Sequence, residues 1–151
     1  AFRDSDVTIL DPRSLSSDDS ESRKRACFAA SDAALAASGT VSLELAAANT
    51  PMVIAYKMHW LTAFIKKRMV RVSSATLVNL LTQTHAVPEF LLADCTVEKI
   101  LPAIKELLSD EVSANSQRKV FASAMEMLKA DGSTGGKSAA RSVLDFIKPA
   151  T

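Results

Sequence analysis

The chain has 151 residues, 48% of them hydrophobic and 5% aromatic, with a formal net charge of +1. At this length roughly 70% of the unfolded surface can be buried, which predicts one globular domain with its own core. No run approaches the ~20 continuous apolar residues of a membrane span, and Cys27 and Cys95 lack both a CxxC pair and histidines at zinc spacing. That excludes a spanning protein, and it argues against a disulfide framework or a bound metal and for a reducing cytosolic setting. The chain opens Ala1-Phe2-Arg3-Asp4, with no methionine and no signal-like segment, so a fragment of a longer protein is expected.

In chain order, Val7 to Leu10 is a β-branched run closed by Asp11-Pro12 and predicts a short strand. Ser16 to Ser20 supplies N-cap residues for a helix over Glu21 to Ala30. Ala33 to Ala37 predicts a buried strand ended by Ser38-Gly39. Val41, Leu45 and Ala48 then form one apolar stripe of a helix from Thr40 to Ala48, which Asn49-Thr50-Pro51 ends. Met52 to Ala55 predicts a buried parallel strand. Trp60 to Val70 reads as a helix, while Val72 to Leu81 fits either strand or loop. Helices follow over Val97 to Leu108, Ser113 to Leu128 and Lys137 to Ile147.

Alternating strand and helix in the first half predict an α/β fold: a Rossmann-like open parallel sheet with helices on both faces and a mainly helical part from 96 to 151. Ligands of such sheets bind outside the carboxyl ends of the strands. Asp11-Pro12, Ser38-Gly39-Thr40, Tyr56-Lys57 and the segment near Asn79 should therefore share one edge.

Glu44 is the one acidic residue between Ser38 and Tyr56. A capping box needs glutamate three residues after the cap, whereas Thr40 and Glu44 are four apart, on one helical stripe. A glycine turn lets backbone approach a phosphate, and a carboxylate one helical turn further on can accept ribose hydroxyls. A simple helix start remains the alternative, since Ser, Gly and Thr are common there. Gly132 to Ser138 imitates a phosphate loop, but the glycine spacing is wrong and no strand precedes it. His59 and His85 have no spaced partners and receive no role. No nucleophile elbow is present, which disfavours a hydrolase.

From Leu45 to Pro88 there is no acid, while Lys57, Lys66, Lys67, Arg68 and Arg71 supply five positive charges. Trp60 beside this basic run suits an anionic membrane surface, and a core helix with basic flanks is the competing reading. With one Trp and one Tyr for stacking, nucleic acid is not an expected partner.

The stretches "AALAASGTVSLELAAANTPMVIAYK", "TLVNLL" and "AVPEFLLADCT", in this order and spacing, resemble the C-terminal half of lipid-A-disaccharide synthases, glycosyltransferases of the GT-B class. The resemblance runs from about Val7 to the C-terminus. It implies a UDP-sugar-binding half, with Ser38, Gly39 and Thr40 at the diphosphate, Glu44 at the ribose, and Tyr56, Lys57, Asn79 and Glu89 lining the donor cleft. The implied reaction transfers diacylglucosamine from UDP-2,3-diacylglucosamine to 2,3-diacylglucosamine 1-phosphate with inversion, without a metal or other cofactor. It implies a cytoplasmic protein peripheral on the anionic inner membrane, and it leaves room for a homodimer. Lys57 stands where arginine is usual, Val78 where proline is usual, Leu92 where glutamine is common, and Val97 where proline often follows Cys-Thr. The catalytic base is expected in the other half, so residues 1–151 alone are expected to be inactive. Another UDP-hexosamine transferase or epimerase, and a non-catalytic nucleotide or membrane-surface module, are the alternatives.

Overall fold

The computed structural model describes residues 8–11, 13, 16–37, 39–57, 74–129 and 135–147. The expected helix from Trp60 to Val70 and the basic patch lie outside the described residues, as do Ser38 and His59.

Helix α1 (Ser17–Ala29) starts four residues before the expected position because Ser16 is chosen as the N-cap: its Oγ accepts from the Asp19 N–H at 3.2 Å. Asp18 and Asp19 then place negative charge in the first turn, where the helix end favours it. Strand β1 (Ala34–Ala36) leads through Gly39-Thr40 into α2 (Val41–Ala47), and Asn49 leaves that helix with a φ of 61° before β2 (Met52–Tyr56). Helix α3 (Leu77–Thr82) precedes β3 (Glu89–Leu91), and a single 3-10 turn (Leu92–Asp94) follows it. The helical part is α4 (Val97–Ser109), α5 (Glu111–Leu128) and α6 (Gly135–Ile147).

The three strands are parallel in the order β1-β2-β3, with Ala36, Ile54 and Glu89 in one row across the sheet. Met52 and Ile54 join Leu45, Ala46, Val78, Val87, Phe121 and Ala124 in the core, so α2, α3 and α5 share one centre. Val53, which alternation points to the other face, is fully buried as well, and α4 packs against β2. Both faces of the central strand are therefore covered, as expected for an α/β sheet.

Gln117 of α5 completes that strand. β3 begins opposite Ile54, so the peptide groups of Met52 have no strand neighbour on that side. The Gln117 side chain accepts from Met52 N–H at 2.9 Å and donates to Met52 C=O at 3.1 Å, reproducing a strand's pair of hydrogen bonds. Both residues are buried, where an unpaired peptide group is costly.

Two expectations are corrected, and one strand is present that the sequence did not announce. Residues 8–10 form no strand: Ile9 is 83% exposed, because the run finds no partner strand among the described residues. The second half of 72–81 is helical, since Val78 and Asn79 are drawn into the core on one face of α3. Glu89–Leu91 is a strand that its glutamate concealed.

Candidate functional site

The carboxyl ends of the strands gather the first group of expected residues. Gly39 and Thr40 follow β1, Tyr56 and Lys57 end β2, and Tyr56 pairs in register with Leu91 at the end of β3. All four expected residues are exposed there. Gly39 has a φ of 144°, a conformation that side-chain-bearing residues rarely adopt, and a Cβ built on it would meet nothing within 4 Å. The glycine thus serves both a turn that needs it and an open approach to backbone. The Gly39 carbonyl is held from within, accepting from the Ser42 hydroxyl at 2.9 Å. Thr40 makes no side-chain capping bond, so its hydroxyl is not consumed by the helix it starts.

Glu44 lies one turn into α2, its N–H donating to the Thr40 carbonyl at 3.3 Å. Its side chain is 39% exposed and its Oε2 is 2.8 Å from the Lys24 ammonium on α1. Lys24 also contacts Glu21 Oε2 at 2.8 Å, and Glu21 Oε1 accepts from Arg25 Nε at 3.2 Å. Hydrogen bonding to Glu21 first, and to Glu44 second, raises the Lys24 pKa, while Lys24 chiefly lowers that of Glu21. Between the helices runs an open groove of about 550 Å³, with Glu21, Arg25 and Glu44 over a floor of Ala29, Leu43, Ala47 and Ala48.

Glu89 and Asn79 form a different unit. Asn79 is 1% exposed, and its amide is fully committed: Nδ2 donates to Val87 C=O and to Glu89 Oε1, each at 2.9 Å, and Oδ1 accepts from Val87 N–H at 3.0 Å. Glu89 Oε2 accepts from Ala75 N–H at 2.8 Å, and Oε1 accepts from Thr76 N–H at 2.9 Å and from the Ser74 hydroxyl. Burial pushes the Glu89 carboxyl up, but the bonds from Ala75, Ser74 and Thr76 together outweigh it and hold the pKa below the usual glutamate range. The structure thus brings Asn79 and Glu89 together at the start of β3, two rows behind the Tyr56–Leu91 end of the sheet, with their polar groups bonded to protein.

Leu92 emerges just past β3 with a φ of 56° and is 40% exposed, a bulky residue in the left-handed region. Among the described residues no group of three or more His, Cys, Asp and Glu side chains has the arrangement to hold a metal, and no helix is long and apolar enough to cross a membrane.

Residues 8–143 match the family described as Lipid-A-disaccharide synthetase. The chain belongs to this family. Among curated relatives of that family, it is 49% identical over 139 residues to the lipid-A-disaccharide synthase of Ruegeria pomeroyi, covering 92% of this chain and 34% of that protein. It is 43% identical over 127 residues to the enzyme of Bradyrhizobium diazoefficiens (84% and 31% covered) and 46% identical over 123 residues to that of Paramagnetospirillum magneticum (80% and 32%). The chain therefore spans about a third of the length of these synthases. Sequence reasoning reached Gly39, Thr40 and Glu44 but missed Lys24 and the Ser74–Thr76 turn. An i,i+3 Glu21/Lys24 pair was visible as a helix-surface pattern; its reach to Glu44 was not.

Proposed function

We propose that this chain is the donor-binding part of an inverting glycosyltransferase of lipid A synthesis, which joins UDP-2,3-diacylglucosamine to 2,3-diacylglucosamine 1-phosphate. Family membership supports the reaction class, and one observation supports the donor role. At the carboxyl edge of a parallel sheet, the exposed Gly39-Thr40 turn is followed one helical turn later by a carboxylate that keeps an unshared oxygen among the described residues.

In this reading residues 1–151 form one donor-binding domain, with 96–151 its mainly helical part. The turn, with Ser38, holds the diphosphate through backbone and hydroxyl donors, Glu44 accepts from the ribose hydroxyls, and Tyr56 and Lys57 border the cleft. Lys57 offers a point charge to phosphate without an arginine's paired donors. Holding the diphosphate stabilises charge that grows on UDP as the glycosidic carbon leaves it. The proton of the acceptor hydroxyl goes to a general base, which this reading places in the rest of the longer synthase rather than among the described residues. Trp60, Lys66, Lys67, Arg68 and Arg71 serve attachment to an anionic membrane surface from the cytoplasmic side, where the phosphorylated lipid acceptor lies.

Titration calorimetry with UDP tests the donor role in the full-length protein. Glu44→Gln is expected to weaken UDP about tenfold or more, the scale of a hydrogen bond to a charged group. Equal affinity of the two proteins, or binding to anionic liposomes with no UDP binding at all, overturns the reading.

A further inference from the structure

The proposed donor site contains an apparent contradiction. A nucleoside diphosphate is strongly anionic, yet the residue offered to its ribose is a carboxylate, and a second carboxylate, Glu21, lies across the groove. Two acids at the mouth of a site for an anion repel it over a distance set by salt, ~10 Å at 0.1 M ionic strength. The structure resolves this with Lys24. Its ammonium sits 2.8 Å from both Glu21 Oε2 and Glu44 Oε2, and Arg25 bonds the remaining oxygen of Glu21. Glu21, Lys24, Arg25 and Glu44 sum to zero charge: two acids against two bases.

We propose that Lys24 is a positioning residue of the donor site: it fixes the Glu44 carboxylate through Oε2 and cancels its charge, leaving Oε1 to accept from the ligand's hydroxyls. This rests on the donor-binding reading above. Three features support it. Lys24 makes the one ion pair to the Glu44 carboxylate among the described residues, and it comes from a separate helix, so it orients that carboxylate from outside α2. An ammonium has three donors, so it serves both carboxylates without choosing between them. The Glu21, Lys24 and Glu44 side chains are each more than a third exposed, and ion pairs open to water contribute little net stability, so the arrangement has a small role in holding the fold.

The test measures UDP affinity in the full-length protein for wild type, Lys24→Met, Lys24→Arg and Glu44→Gln, at about 0.02 M and about 0.5 M salt, where screening is weak and strong. Lys24→Met is expected to bind UDP about 3- to 10-fold more weakly at low salt, the scale of one side chain's pre-organisation. The defect should shrink at high salt as the uncovered carboxylate charge is screened, Lys24→Arg should recover most of the affinity, and the melting temperature should stay near wild type. A defect of equal size at both salts marks mere structural damage and overturns the proposal. If Lys24→Met binds like wild type while Glu44→Gln does not, the positioning role falls and the donor reading stands. If wild type and Glu44→Gln bind UDP alike, the donor reading falls and this proposal falls with it.

Discussion

Two carboxylates, Glu44 on helix α2 and Glu89 at the start of strand β3, belong to the same small α/β unit and live in opposite circumstances. Glu89 is half-buried and wrapped by the Ala75 and Thr76 N–H groups, the Ser74 hydroxyl and the Asn79 amide. Glu44 stands at the surface with one lysine on one oxygen. A carboxylate saturated by protein donors organises backbone; one with a spare oxygen at a groove has capacity left for a ligand. The residue type is identical, and the number of donors that the fold aims at it makes the difference.

Breaking the Glu89 cradle should produce the largest effect. Glu89→Ala leaves several donors without their acceptor, and with water replacing part of the loss the expected destabilisation is about 3 kcal/mol, read from urea unfolding. The same cradle predicts an acid dependence. The folded-state pKa of Glu89 is depressed from its ordinary value of 4.5. Its contribution is therefore present above that value and lost as pH falls through the lower folded value. The stability gap between wild type and Glu89→Gln should be full at neutral pH, narrow as pH falls below 4.5 and close once pH is below the depressed folded value; a gap independent of pH would contradict the cradle.

Gly39→Ala sharpens the other side of the comparison. Space for the methyl is free but the φ of 144° is not, so a loss of about 1–2 kcal/mol is expected from backbone strain alone. Glu44→Ala should be the quietest, shifting the melting temperature by less than about 2 °C, as for surface positions generally. A large loss of stability there would place Glu44 with Glu89 as a structural acid and erase the contrast.

The sequence exposed what is local. Ala33 to Ala37 and Met52 to Ala55 announce strands because short apolar runs between breakers are hard to place otherwise, and the structure has strands at Ala34–Ala36 and Met52–Tyr56. Val7 to Leu10 has equally good strand composition, but a strand needs a neighbour, and that is not a property of the run itself. Glu89–Leu91 hid for the reverse reason: its first residue is charged, and the donors that make the charge acceptable lie 10 to 15 residues earlier. Lys24 escaped notice because its partner on α2 is brought near only by the packing of two helices. The edge of the sheet where Gly39, Thr40, Tyr56 and Lys57 meet was legible, since parallel topology alone places those turns together.

The Gln117 clamp also bears on the order of assembly. Met52 and Gln117 are 65 residues apart in sequence, so the start of the central strand must be served by water until α5 has been made and has docked. Such a long loop closes slowly compared with a hairpin or a helical turn. In a growing chain the middle of the sheet is therefore sealed late, from outside, by a single amide that takes the place of a strand.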